Sequence, residues 1–241
     1  MIYGLSLFLA AALGAAEPAD PRERAAEREA MVMEIANVAE IAGVGEARRI
    51  DRRVLAAMRA VPRHRFVPAE ASRFAYQGRP LPIGHRQTIS QPYIVALMTH
   101  LLQVAPGHKV LEVGTGSGYQ AAVLAAMGVE VRSIEIVAPL AAEAAERLRA
   151  LGYDKVRVRA GDGYAGWPDE APFDRIIVTA GAPHLPRPLV DQLRPGGRMV
   201  IPIASGGEGE ELILVTKDRR GQVRQRALLP VRFVPLTRSP G

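Results

Sequence analysis

The segment Glu112-Val113-Gly114-Thr115-Gly116-Ser117-Gly118-Tyr119 sets three glycines within five residues directly after an apolar run. Residues without a Cβ let the backbone turn sharply and come close to a ligand that a side chain would block, so this loop is expected to hold a nucleotide-like molecule. A dinucleotide fingerprint needs G-x-G-x-x-G, and the position for its third glycine is Tyr119, which argues against NAD. A tight strand-to-helix turn alone would also use these glycines. Glu135 follows Gly114 by 21 residues, the offset at which a neighbouring strand ends and a carboxylate can accept from ribose hydroxyls. Its alternative role is a surface carboxylate starting a helix ahead of Pro139. Gly161-Asp162-Gly163 offers a third acid between glycines at another strand end. The set supplies acceptors for ribose and adenine and lacks the Lys of a phosphate-binding loop, a description that S-adenosylmethionine fits.

Two further segments bear on the chemistry. After the fourth expected strand the chain reads Thr179-Ala180-Gly181-Ala182-Pro183, without the Asn or Asp, Pro-Pro and aromatic that amino-methyltransferases of adenine or glutamine carry. Upstream, Gly84-His85-Arg86-Gln87-Thr88-Ile89-Ser90-Gln91-Pro92-Tyr93 brings two hydroxyls just ahead of a helix expected over Tyr93 to Leu102. On the residues alone Ser90 could be no more than a helix N-cap. The five histidines lack metal-ligand spacing, and with Trp167 and the methionines they read as surface or packing residues.

The elements that must position these residues follow from periodicity. After Pro106-Gly107 short apolar runs alternate with Ala-rich stretches, which predicts βαβ units and a parallel sheet. Strands are expected near Lys109 to Val113, Val129 to Glu135, Lys155 to Arg159, Phe173 to Thr179, Arg198 to Ile203, Glu211 to Lys217 and Leu228 to Val234, with helices near Tyr119 to Met127 and Ala138 to Leu151. Ahead of this core, Met31, Ile35, Val38 and Ile41 or Ala42 recur at helical steps within a helix from Arg22 to Ala42. A short helix is expected from Asp51 to Ala60, stopped by Pro62, and Phe66 to Gln91 reads as ordered loop. The expected architecture is α/β, a doubly wound, mostly parallel sheet with a helical N-terminal extension. Its divisions are a signal-like or flexible start at 1–21, a helical extension and active-site segment at 22–105 and an α/β core at 106–241, with 22–241 forming one integrated domain.

Composition narrows the function. The chain has 241 residues, 48% of them hydrophobic and 23% charged, which suits one folded domain and excludes global disorder. It has no cysteine, so disulfides, thiolate metal sites and a Cys nucleophile, including that of C5-cytosine methyltransferases, are excluded. The net charge of +6 comes from scattered Arg pairs without a long basic tract, so a solvated surface is favoured over nucleic-acid binding. Leu5 to Ala16 is an apolar run like a signal peptide, but no Lys or Arg precedes it and it is too short to span a bilayer. A cytoplasmic location is expected, with export to the periplasm as the alternative.

Pro62-Arg63-His64-Arg65-Phe66-Val67-Pro68, Leu81-Pro82-Ile83-Gly84, Gln87-Thr88-Ile89-Ser90-Gln91-Pro92, the Gly loop with Tyr119-Gln120, Gly161-Asp162-Gly163 and Val231-Arg232-Phe233-Val234-Pro235-Leu236 stand together in this chain. In these motifs, over about Met31 to Thr237, it resembles the protein-L-isoaspartate O-methyltransferase family. The resemblance implies a Rossmann-like class I methyltransferase fold and methyl transfer from S-adenosylmethionine to the free α-carboxyl of L-isoaspartyl residues in damaged proteins or peptides. The ester then collapses to a succinimide whose hydrolysis restores some aspartate. By the same resemblance Ser90 is the active-site residue, while Thr88, Gly114, Gly116, Gly118, Glu135, Asp162, Gly163 and Thr237 fall where the family contacts the cofactor. The implied chemistry needs no metal and no His base, because a carboxylate with a reference pKa near 4 is already ionised at pH 7. Damaged proteins are the expected partners, and the enzyme is expected to be a monomer without nucleic-acid partner or stable membrane association. Position 86 departs from the family pattern, with Arg86 where glycine is common. Rival readings are a class I methyltransferase acting on RNA or a small molecule and a non-catalytic cofactor-binding module that recognises aged proteins.

Overall fold

A computed structural model describes residues 23–43, 45–207 and 209–238; the signal-like run Leu5 to Ala16 lies outside them. The N-terminal helix α1 (Ala25–Ala42) buries Met31, Val32, Ile35 and Ala39. This corrects the end of the expected stripe: Ile41 is 84% exposed and Ala42 is exposed too, and Ala39 is the last residue of α1 buried against the core. Helix α2 (Arg52–Ala60) starts at Asp51, whose side chain accepts from Arg53 N and so caps one free backbone donor.

A short 3₁₀ turn, Arg63–Phe66, leads into the stretch expected as loop, which contains a second, Ala69–Phe74, and then a hairpin of β1 (Leu81–Gly84) and β2 (Gln87–Ile89). The pair is antiparallel with Pro82 opposite Thr88, and His85 and Arg86 form its turn at φ 50° and 60°. Both adopt the left-handed backbone that a two-residue hairpin turn requires and that asparagine or glycine usually supplies. Helix α3 (Pro92–Leu102) follows with Pro at its first position.

The core alternates β3 (Lys109–Val113), α4 (Tyr119–Ala126), β4 (Glu130–Glu135), α5 (Ala138–Ala150), β5 (Val156–Ala160), β6 (Phe173–Val178), α6 (Arg187–Gln192), β7 (Leu193–Ala204), β8 (Glu210–Lys217) and β9 (Val223–Val231). Seven strands form one sheet in the order β5-β4-β3-β6-β7-β8-β9, parallel from β5 through β7 and antiparallel at β8 and β9. The last strand begins five residues earlier than expected and releases Arg232 to Val234 from the sheet. Apolar patterning misplaced it because Arg224, Gln225 and Arg226 pair with β8 as exposed residues, while of the apolar residues after them Ala227, Leu229 and Val231 stay in the ladder and only Phe233 and Val234 lie beyond it.

Alternate residues of each central strand face opposite ways. Val110, Val131, Ile177 and Val200 join one apolar cluster with α1, α2, α3 and α4, while Leu111, Ile134, Ile176 and Met199 join a second with α6. Strand order reverses at β3, whose neighbours are β4 and β6, and ligands of open α/β sheets bind at such a switch point.

Candidate active site

Register brings the separate motifs to one edge. Val113 pairs with Ile134 on one side and Val178 on the other, so Gly114 and Thr179, each one residue past the end of β3 and β6, lie beside Glu135, the last residue of β4. Gly114 has φ 95°, and a Cβ there would fall 2.4 Å from Thr179 Oγ1. Thr179 Oγ1 donates to Gly114 O at 2.6 Å. The loop closes where Gly118 N donates to Thr115 O at 2.9 Å, just before α4.

Glu135 is 5% exposed. Its Oε2 accepts from Gly116 N at 2.8 Å and its Oε1 from Val137 N at 3.0 Å. The carboxylate therefore clamps the glycine loop to the start of α5, and it also borders the cleft. Behind it lies a second buried acid. Glu112 is wholly buried, Ser133 Oγ donates to its Oε2, and Thr115 Oγ1 lies 2.6 Å from the same Ser133 hydroxyl. Burial, reinforced by the nearby Glu135 charge and only partly opposed by the Ser133 hydrogen bond, pushes the Glu112 carboxyl up to about 8. It is protonated at neutral pH, which keeps a second negative charge out of the sheet edge.

Ser90 stands between β2 and α3 and is half-buried. The N-cap of α3 is Gln91, and no side chain caps that helix, so the N-cap role considered for Ser90 does not apply. A cavity of about 760 Å³ is lined by Thr88, Ser90, Gln91, Thr179, Arg232 and Phe233. A small neighbouring cavity joins Thr88, Ser90 and Thr179 to Gly114, Gly116 and Ser117. A third is lined by Thr88, Gly116, Glu135, Gly163, Thr179 and Thr237.

Seven of the nine expected site residues line three hollows that share Thr88 and Thr179: Ser90, Thr88, Gly114, Gly116, Glu135, Gly163 and Thr237. The other two shape the walls. A Cβ on Gly118 would come within 3.0 Å of Leu148 on α5, so this glycine allows close packing of the two helices. Asp162 Oδ1 accepts from Tyr164 N at 2.8 Å, which ties one of its two carboxylate oxygens to its own turn. Gly163 is also tightly packed, since a Cβ there would lie 2.4 Å from Val113 Cγ1. Thr179, which borders all three hollows, lies one residue past the end of β6, and that strand-end position is its signal in the sequence. Arg232 and Phe233, part of the C-terminal motif, form wall of the large cavity.

The histidines have other occupations. His64 Nδ1 lies 2.7 Å from Tyr76 Oη and its Nε2 2.7 Å from Glu23. His100 and His108 each accept a backbone hydrogen bond through Nδ1. Among the described residues no three acids or histidines are grouped to share a metal ion, and no helix is long and apolar enough to cross a membrane. The sites of the glycine loop and Glu135 fit a nucleoside with ribose acceptors at hand: the loop offers backbone close to the cleft, and Glu135 offers a fixed carboxylate edge.

Comparison with known proteins adds a family. The family described as protein-L-isoaspartate(D-aspartate) O-methyltransferase matches residues 41–240. A Polaromonas sp. protein named protein-L-isoaspartate O-methyltransferase 2 is 62% identical over 188 residues, covering 78% of this chain and 89% of its own. One of the same name from Syntrophobacter fumaroxidans is 56% identical over 238 residues, covering 98% and 95%. Among solved structures, a protein-L-isoaspartate O-methyltransferase superposes with TM-score 0.76 at 26% identity over 89% of this chain and 66% of that one. A Plasmodium falciparum β-aspartate methyltransferase in complex with S-adenosyl-L-homocysteine gives 0.71 at 27% identity, covering 86% and 98%.

Proposed function

Since the chain belongs to the protein-L-isoaspartate O-methyltransferase family, we propose that it methylates the free α-carboxyl of L-isoaspartyl residues in damaged proteins, with S-adenosylmethionine as methyl donor. The observation that carries this reading is the position of Ser90, which borders both the 760 Å³ cavity and the small hollow against the Gly114 loop. When bound, S-adenosylmethionine supplies a sulfonium methyl that passes to a carboxylate oxygen. The chain's own part is placement. Gly114 and Gly116 offer backbone against the donor's nucleoside, Glu135 its carboxylate to the ribose, and Thr88, Gly163 and Thr237 the surrounding wall. Gly118 lets the loop pack against α5, and Asp162, with one oxygen held in its own turn, keeps the other for the donor. The Ser90 hydroxyl donates to the acceptor carboxylate and fixes which oxygen faces the methyl. Because the nucleophile is already ionised, alignment rather than proton transfer is the main catalytic task.

The described residues 23–238 serve as one domain in this reading, supported by the apolar cluster that runs from Met31 on α1 to Leu214 on β8. We read the enzyme as a cytoplasmic monomer acting on proteins rather than nucleic acid, because its donor is made in the cytoplasm and its basic residues form no tract. Methyl transfer from labelled donor to an isoaspartyl peptide, with the matching aspartyl peptide as control, tests the function. Equal labelling of both peptides, or of neither, refutes it.

A further inference from the structure

Arg63 is wholly buried, 0% exposed, in the 3₁₀ turn Arg63–Phe66. Its Nε donates to Ala75 O at 2.7 Å and its Nη2 to Ser90 O at 2.7 Å. The guanidinium lies 4.8 Å from the ring centroid of Tyr119, the first residue of α4 after the glycine loop. Nη1 has no hydrogen-bond partner, and no carboxylate pairs with this side chain among the described residues. Burial pushes its pKa down to about 10, so it remains a cation at neutral pH.

A buried charge without a counter-charge is expensive, and an apolar residue of similar volume would pack the same space at less cost. What hydrocarbon cannot provide is a rigid fork of donors that reaches two carbonyls while its flat face stacks on a ring. Those three contacts join the Ala75 turn, the Ser90 segment and the helix that begins at the glycine loop. The Ser90 hydroxyl itself has no partner among the described residues, so its carbonyl is the polar handle by which that residue is held. We propose that Arg63 is a positioning residue for methyl transfer: it fixes the Ser90 backbone relative to the Gly114–Gly118 loop, so that the Ser90 hydroxyl meets the acceptor carboxylate in register with the donor. This rests on the role given to Ser90 above.

The full-length variants R63M and R63K test it through four readouts: thermal melting, calorimetric binding of S-adenosylhomocysteine, initial rates on an isoaspartyl peptide, and amide hydrogen exchange over 89–95 without any acceptor. Methionine removes the fork and the charge; lysine keeps the charge but loses the fork and the stack. Expected are cooperative melts for both, product affinity within about threefold of wild type, exchange over 89–95 clearly faster in R63M, and kcat reduced about tenfold or more, with KM for the peptide changed less. R63K should fall between R63M and wild type. Wild-type turnover in R63K would mean that charge alone matters and would overturn the positioning role. So would a folded R63M with wild-type kcat, a loss of kcat with unchanged exchange, or failure of both variants to fold. Failure of the wild-type enzyme to label the isoaspartyl peptide would instead count against the proposed function, and the exchange measurement would still report whether Arg63 holds the segment.

Discussion

Replacing Glu135 by Ala separates two tasks of one carboxylate, the clamp seen in the structure and the ribose contact proposed above. As a clamp it accepts from Gly116 N at 2.8 Å and Val137 N at 3.0 Å. Hydrogen bonds to a charged group contribute about 1.5–3 kcal/mol each. Both donors lie at a cleft where water can replace part of the loss, so the variant should lose about 2–3 kcal/mol. For a protein of this size that corresponds to a fall in Tm of roughly 4–12 °C. As a ribose acceptor the same group should give the donor about 1.5–3 kcal/mol, so affinity for S-adenosylhomocysteine should drop about 10- to 150-fold. Calorimetry well below the melting point measures the second effect free of the first. Glu135→Gln should recover stability only in part, because its amide has one acceptor oxygen for two backbone donors and presents its own N–H groups to the other. An unchanged Tm would refute the clamp, and an unchanged affinity would refute the ribose assignment.

Ser90→Ala should leave stability within about 0.5 kcal/mol, since this side chain caps no helix, while turnover on an isoaspartyl peptide falls on the order of a hundredfold; a stable variant with full activity would remove Ser90 from the mechanism. Arg86→Gly should raise Tm by roughly 2–4 °C by relieving a left-handed residue at φ 60°, and a lower Tm in the melt would show that the Arg86 side chain contributes more than its backbone costs. Glu112 holds its proton in the native state up to about pH 8, against about 4.5 when unfolded, so native stability should decline as pH rises between these values. Glu112→Gln should lack that slope and gain on the wild type from pH 5 to 8; parallel stability curves in denaturant titrations would refute the assignment.

The legible and illegible parts of this chain divide along a physical line. Central parallel strands are buried on both faces, so Lys109–Val113 and Phe173–Val178 announced themselves as apolar runs, and the glycine loop and Glu135 followed from where such strands end. The β1–β2 hairpin was hidden because its turn is His85-Arg86 instead of Asn-Gly and one of its strands contains Pro82. The six-residue α6, opening Arg187-Pro188, is too short to show helical periodicity. Asp162 between two glycines reads as a ligand from the sequence, and only the structure shows that one of its oxygens is taken by Tyr164 N in its own turn. The deepest gap concerns groups whose partners are distant in sequence. Nothing in the spacing of Arg63 and Ser90, 27 residues apart, indicates that one donates to the other, because the hydrogen bond depends on where α3, α4 and two 3₁₀ turns come to rest. A motif marks which residues the chemistry uses, whereas the groups that hold them to within a fraction of an ångström are settled by packing. For that reason the test of Arg63 turns on exchange and turnover together: a residue that acts only through the placement of another must move both.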